Sequence, residues 1–193
     1  MWNTIWDSGQ EFGLQVIAPS HIRSLEAGML WYGIDIDPEA NPFEVGLDNV
    51  VDLGKPDFIG KDALIEIKKK GVSQKIVGLR LGGKPQLCYN ADFWLVKDTA
   101  GRAVVGYVTR AFYSPKLQTN IAHAMVGIEH TATGTSLLVA MSEEKDLVRA
   151  TVVERPFYDP KKEIPREANE TCKGGQNWTT RGSVPIKCRT TPA

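Results

Sequence analysis

The order of apolar and polar positions divides the chain into three stretches with different periods. In the first, apolar residues recur at helical spacing. Trp2, Ile5 and Trp6 share one helical face, and Gly13 is a candidate stop. Leu14 to Ala18 reads as a short strand. Pro19 and Ser20 open a second helix, with Ser20 a candidate N-cap and Ile22, Leu25 and Met29 its buried stripe. Asp37 to Pro42 is a turn-rich loop, and Asn49 to Leu53 looks extended. A third helix covers about Lys61 to Lys70, with Leu64 and Ile67 inward and Gly71 at its end.

From Gln74 the period shortens to two. Val77, Leu79 and Leu81 alternate with Gly78 and Arg80. Further short runs lie at Phe93 to Lys97, Val104 to Thr109, Ile121 to Val126, Ser136 to Ala140 and Val148 to Val153. Glycine, proline or asparagine separates most of them. Short strands at near-regular spacing predict a compact β-barrel or sandwich. The fold class is therefore α+β, with a boundary near residue 73: residues 1–73 mix helix and strand, and residues 74–162 are mostly β. Residues 163–193 form the third stretch. From Ala168 onward they are rich in Thr, Gly, Lys, Arg and Cys, show no period and offer little to bury. They read as a disordered tail or as sequence of non-native origin.

Composition narrows the function classes. With 42% hydrophobic and 24% charged residues, a packed core is within reach. Lysine plus arginine equals aspartate plus glutamate at 23 each, so there is no electrostatic footprint for nucleic acid or an anionic membrane. No apolar run is long enough to span a bilayer, and Met1 to Asp7 lacks the charged start of a signal peptide. Cys88, Cys172 and Cys188 are far apart and lack metal-ligand spacing. They suit a reduced compartment, with Cys88 a buried thiol. His21, His123 and His130 show no metal spacing either, and His123, in an apolar strand, reads as a packed histidine. No metal site is expected. Lys68, Lys69 and Lys70 are a solvated helix end that complements the dipole.

Three segments carry a family resemblance. Ser24-Leu25-Glu26-Ala27-Gly28 through Tyr32-Gly33-Ile34-Asp35-Ile36-Asp37 resembles R-L-E-A-G-x-x-x-Y-G-x-D-[MI]-D of the glycine-cleavage T-protein (aminomethyltransferase) family. Asn41-Pro42-Phe43-Glu44-Val45-Gly46-Leu47 resembles its N-P-[FLW]-E-x-G-L, and Phe58 to Leu64 its F-[IV]-G-[KR]-[ED]-A-L. Further on, Lys75 to Leu79, Gly106 to Thr109 with Tyr113-Ser114-Pro115, Ile121 to Val126 and Pro156 to Pro160 resemble the family's C-terminal barrel. The resemblance runs from Trp2 to about Arg166 and implies a definite anatomy. Residues 1–73 would be the end of the folate-binding core, and residues 74–162 an antiparallel barrel. The family's catalytic aspartate would lie in an N-terminal half that precedes this block, so the fragment alone is expected to be inactive.

The resemblance also implies tetrahydrofolate as cofactor. Folate needs a flat apolar slot, a carboxylate for the pterin edge and a cation for the glutamate tail. Glu26 and Glu44 are the carboxylate candidates. Each also has a local reading, as a helix or turn carboxylate satisfied by nearby backbone N–H groups. Tyr32 would offer an aromatic face or a hydroxyl, or else serve as a core tyrosine. The family's arginine before Leu-Glu is Ser24 here, with Arg23 one position earlier and turned ~100° around a helix. Arg80 and Arg110, the latter standing where the family has a serine after Val-Thr, are other candidate cations for the glutamate tail, with surface exposure the expected setting of both. Asp35 and Asp37, just before Pro38, read as turn formers.

Ile17 to Arg23 departs from the family's G-L-G-A-R-D and looks more like the dimethylsulfoniopropionate demethylases, which move a methyl group from a sulfonium or amine to tetrahydrofolate. In the aminomethyl branch the partner is a lipoyl carrier protein. Two alternatives stay open: a barrel module of a dimethylglycine- or sarcosine-dehydrogenase-type flavoenzyme, and a non-catalytic folate-binding relative. The signature K-G-C-Y-x-G-Q-E of the latter is absent at Phe58 to Leu64. The implied compartment is the bacterial cytoplasm, or the mitochondrial matrix in a eukaryote.

Overall fold

Period-two patterning from Gln74 onward folds six strands with one face turned inward. The structure is a computed structural model that describes residues 1–16, 20–88, 90, 92–142, 147–161 and 163–164. The strands are β1 (Gln74–Leu81), β2 (Trp94–Lys97), β3 (Val104–Ser114), β4 (Thr119–Gly127), β5 (Ser136–Ala140) and β6 (Val148–Val153). They close into a barrel in the order β1-β4-β3-β2-β5-β6, each neighbour antiparallel. Closure leaves no edge strand to aggregate. Val77, Leu79, Trp94, Val96, Ala124 and Val139 are among the side chains that fill the interior. Each fully buried valine or leucine contributes about 1.5–3 kcal/mol.

The outer face of β1, β3 and β4 is covered as well, by residues 21–48. Leu25 packs with Phe112 and Ile121, joined by Ile22, Leu117 and Phe157. Val45 packs with Ile76 and Met125, joined by Leu30, Ile36 and Leu47. Covering both faces makes β4 buried from Asn120 to Val126. It also explains why β3 runs to Ser114, five residues past the expected end at Thr109: Arg110, Ala111, Phe112 and Ser114 are all buried, so no alternation marks them.

Two asparagine side chains finish the barrel where ladders stop. Asn120 Nδ2 donates to the carbonyls of Gly82 and Lys84, and its Oδ1 accepts from Gln86 N. Asn90 Nδ2 donates to Asp92 O and Thr109 O, and its Oδ1 accepts from Ala111 N, so one amide replaces a missing strand partner.

The chain divides into two compact units, one of them His21–Pro160, which holds the barrel. In it, helix α2 (His21–Glu26) buries Leu25, but the helix ends early. Gly28 at φ +66° turns the backbone away, so Met29 is 59% exposed and not part of the stripe. Asn49 to Leu53 is not extended throughout. Asp48–Val50 forms a 3₁₀ turn, closed by Val51 N on Asp48 O. Helix α3 (Lys61–Lys70) matches its pattern, with Gly71 N bonded to Ile67 O, and Leu64 and Ile67 half-buried.

In the other unit, helix α1 (Trp2–Gly9) and a 3₁₀ turn (Gln10–Phe12) end at Gly13, φ +70°. Leu14 to Val16 form no strand. Leu14 N bonds back to Gly9 O, which folds the chain over the helix end. Ile17, Ala18 and Pro19 lie outside the described residues, as do Cys172, Cys188 and the tail beyond Ile164.

Gly106 marks the tightest approach among the glycines of the sheet. A Cβ there would lie 2.1 Å from the Met125 carbonyl oxygen and 2.8 Å from Val126 Cα, and both are backbone atoms that no rotamer change can move. Gly106→Ala is expected to destabilise the barrel by about 1–3 kcal/mol or more, since overpacking must displace backbone. Chemical denaturation would measure it, and an unchanged midpoint would refute the close approach.

Candidate functional site

The loop after α2 curls on itself. Trp31 O accepts from Asp35 N at 2.8 Å and Ile36 N at 3.1 Å, while Gly33 N donates to Ile36 O. This turn drives the Asp35 side chain down onto the barrel, where it is fully buried. Opposite it, β3 carries a bulge between Val108 and Arg110, across from His123 of β4. An unbroken strand points consecutive side chains to opposite faces. The extra residue breaks that rule and puts Thr109 and Arg110 on the same outer side.

The two bulge residues divide the carboxylate between them. Thr109 Oγ1 donates to Asp35 Oδ1 at 2.5 Å, and Arg110 Nη2 lies 2.8 Å from Asp35 Oδ2. Trp31 N donates to Oδ2 at 2.9 Å. Arg110, itself fully buried, also donates to Ser24 Oγ at 3.2 Å and Met29 O at 2.5 Å, and its guanidinium stands 4.8 Å over the Trp31 ring. One side chain of β3 thus ties α2 and the loop after it to the barrel.

His123 completes the cluster. Its Nδ1 is 3.5 Å from Asp35 Oδ1, and its ring stacks on Phe157 at 5.8 Å. Burial pushes the imidazole pKa down, Asp35 pulls it back up, and Arg155 and Arg110 depress it further; the balance leaves it below the ordinary histidine value. Burial alone would raise the Asp35 pKa. Contacts from His123, Thr109 and Arg110 outweigh that and hold it below the usual carboxylate range.

Beside this cluster, residues 28–47 and the chain after β6 line an open cavity of about 500 Å³. Its walls are apolar, from Met29, Leu30, Ile36, Val45, Leu47 and Pro156, with Arg155 as the one charged residue among them. Arg155 also lines a more polar cavity of about 420 Å³ with Asp48, Lys75 and Thr131. A third cavity of about 430 Å³ lies between residues 50–58 and Leu64 of α3.

The sequence-derived folate residues fall in four different settings. Glu26 is buried at the end of α2; its Oε1 accepts from Ser114 Oγ at 2.5 Å, and its carbonyl accepts from Phe157 N and Tyr158 N. Tyr32 is 76% exposed. Glu44 is half-buried and closes a turn: its Oε2 accepts from Asn41 N, and Asn41 Oδ1 accepts from Phe43 N and Glu44 N. Arg23 is exposed on α2. None of the four lines the three cavities above. Among the described residues no cluster of His, Cys, Asp or Glu could hold a metal ion, and no helix is long and apolar enough to cross a membrane.

Three expectations need correction. Arg110 is buried rather than on the surface, because the bulge aims it at Asp35. Asp35 is an ion-pair anchor rather than a turn former. The turn role belongs to Asp37, whose Oδ1 accepts from Glu39 N and Ala40 N. Cys88 is exposed, in the loop that Asn120 and Gln86 hold at the barrel end. Arg80 is exposed as expected, and His123 is packed as expected. One signal for Arg110 was already in the sequence: Ser24 and Arg110 both depart from the family pattern, and they turn out to be hydrogen-bonded to each other.

These features define a class: a closed antiparallel barrel whose outer face anchors a preceding loop through a buried ion pair. Residues 74–159 match the glycine cleavage T-protein C-terminal barrel domain. The chain belongs to the glycine-cleavage T-protein family. It is 33% identical over 162 residues to an aminomethyltransferase of Alkaliphilus oremlandii, covering 82% of this chain and 42% of that protein. It is 40% identical over 134 residues to an aminomethyltransferase of Thermosynechococcus vestitus, covering 69% of this chain and 35% of that one. The crystal structure of glycine cleavage system aminomethyltransferase T from Bartonella henselae superposes with a TM-score of 0.60 at 25% identity, covering 70% of this chain and 37% of that one. The chain thus spans well under half the length of these relatives.

Removing the Asp35 charge leaves Arg110 buried without its counter-ion. Asp35→Asn is expected to cost about 3–5 kcal/mol in denaturant unfolding at neutral pH, and a loss under 1 kcal/mol would count against the anchor.

The two pKa shifts act in the same direction. Both groups bind fewer protons folded than unfolded, so stability falls as pH falls: below about 6.5 through His123, then below about 3.9 through Asp35. The first slope is at most about 1.4 kcal/mol per pH unit. Replacing His123 with Gln should flatten the stability profile just below pH 6.5, and an unchanged profile would place the titration elsewhere.

Proposed function

We propose that this chain is the C-terminal part of a tetrahydrofolate-dependent one-carbon transferase of the aminomethyltransferase type. The observation that carries the reading is its family membership, with relatives named as aminomethyltransferases at 33% and 40% identity. Glu26 is the residue that best suits a pterin. It is a buried carboxylate with one oxygen fixed by Ser114, and its other oxygen has no hydrogen bond among the described residues. Such a group can accept N–H donors from a heterocycle edge. Glu44 is committed to its own turn, and Tyr32 and Arg23 are open to solvent, so a role for them requires a ligand lying across the outside of the loop.

In this reading the chain's residues orient rather than react. Asp35, Thr109 and Arg110 fix the loop, and with it Glu26, so that the folate N5 and the donor carbon are held in line and away from water. Tetrahydrofolate, when bound, supplies the nitrogen that takes up the one-carbon unit. The donor is an aminomethyl group on a lipoyl carrier protein, or a methyl group on a small sulfonium or amine. The compartment is the bacterial cytoplasm or, in a eukaryote, the mitochondrial matrix.

The test is binding of tetrahydrofolate by the gene product that spans the relatives' full length, followed by a donor panel. The panel sets aminomethyl-lipoyl carrier against dimethylsulfoniopropionate and dimethylglycine. Glu26→Gln should weaken folate binding tenfold or more with an unchanged melting temperature. Absence of folate binding in the unaltered protein would overturn the reading, and transfer from only one donor would name the branch.

A further inference from the structure

Arg155 is the cation that the anchor does not use. Its guanidinium lines the 500 Å³ cavity on one side and the 420 Å³ cavity on the other. Among the described residues it forms no salt bridge, and its one hydrogen bond is a long one, Nη2 to Val45 O at 3.5 Å. A guanidinium carries five N–H donors. Most of them therefore have no protein acceptor among the described residues. Lys75, the other cation at the second cavity, is already 3.5 Å from Asp48.

The chain makes room for this arginine. A Cβ on Gly46 would come within 2.9 Å of Arg155 Nη2, and one on Gly78 within 3.0 Å of Arg155 Cγ. The absent side chain at Gly46 makes room for the guanidinium, and that at Gly78 for the aliphatic stem. A partly buried cation normally finds an acidic partner, because burying an unpaired charge is costly. Asp35 is near enough to raise the Arg155 pKa against the effect of burial, but its carboxylate is hydrogen-bonded by Thr109, Arg110 and Trp31 and forms no ion pair with Arg155.

We infer that the cavity around Arg155 is a binding site for a small monocarboxylate with an apolar body, its carboxylate on the Arg155 fork and its carbon chain against Leu30, Ile36, Val45 and Leu47. A planar carboxylate matches the fork with two parallel hydrogen bonds. The remaining lining is apolar and accepts hydrocarbon. A phosphate dianion suits the site less well, because Asp48 stands at the second cavity and the one nearby lysine already neutralises it. The site is separate from the folate reading, and none of its residues is among Arg23, Glu26, Tyr32 and Glu44.

The experiment is a titration of the 193-residue chain with hexanoate, hexylammonium and hexanol, followed by amide and arginine side-chain resonances. Hexanoate should bind saturably and shift the Arg155 side-chain N–H signals together with the amides of Val45, Gly46 and Leu47. Hexylammonium and hexanol should bind at least tenfold more weakly. Arg155→Gln should reduce hexanoate affinity at least tenfold, and Arg155→Lys should retain part of it. Should neither variant fold, the Arg155 resonances of the unaltered chain decide the matter alone. Equal binding of the three probes, shifts confined to other regions, or unaltered affinity in a folded Arg155→Gln chain would overturn the site. No folate is present in this titration, so its failure leaves the transferase reading untouched, and the reverse also holds.

Discussion

A carboxylate without solvent must be met on both oxygens, and the structure between residues 21 and 48 depends on how this is done for Asp35. Water is replaced by a threonine hydroxyl, a guanidinium and a backbone N–H, while a neutral imidazole packs alongside. Isolated burial of such a charge would be prohibitive; with three donors on its two oxygens it becomes a fastener. Arg110 reaches α2, the Met29 carbonyl and the Trp31 ring from a single strand position, so the loop has few other places to settle.

The device requires a defect in the sheet. A regular β3 would have turned either Thr109 or Arg110 into the barrel interior, where a polar or charged side chain has no partner. The bulge opposite His123 removes the conflict and allows Val108 and Ala111 to remain inside. Barrel closure and loop anchoring are then compatible, and the apolar clusters around Leu25 and Val45 close over the outer surface on either side.

Much of this was legible from residue patterns, and the part that was not has a clear cause. Period-two runs at β1, β5 and β6 give their limits because one face is plainly apolar, and α3 with Gly71 shows both its stripe and its stop. The far half of β3 was hidden because burial on both faces erases alternation. The apolar pattern carries α2 too far because Met29 falls at the right spacing, although Gly28 has already turned the chain. The anchor was the least visible feature. Asp35 sits just before Asp37 and Pro38 and looks like part of a turn; only contact with residues 74 positions away shows otherwise. Of the four proposed ligand residues, the sequence conveyed motif membership, but not that Glu26 is buried while Tyr32 stands in solvent.

The distance along the chain between anchor and clamp also bears on synthesis. Asp35 leaves the ribosome before its clamp exists, since Thr109 follows 74 positions later and must first be bulged by pairing with β4. At ordinary translation speeds of about 5–20 residues per second, those 74 positions alone take roughly 4–15 s. Throughout that time the carboxylate remains hydrated and the nascent loop has nothing to grip. The segment around Asp35 is made before its clamp and can dock only once β3 and β4 have paired, waiting on a strand whose irregularity it cannot itself create.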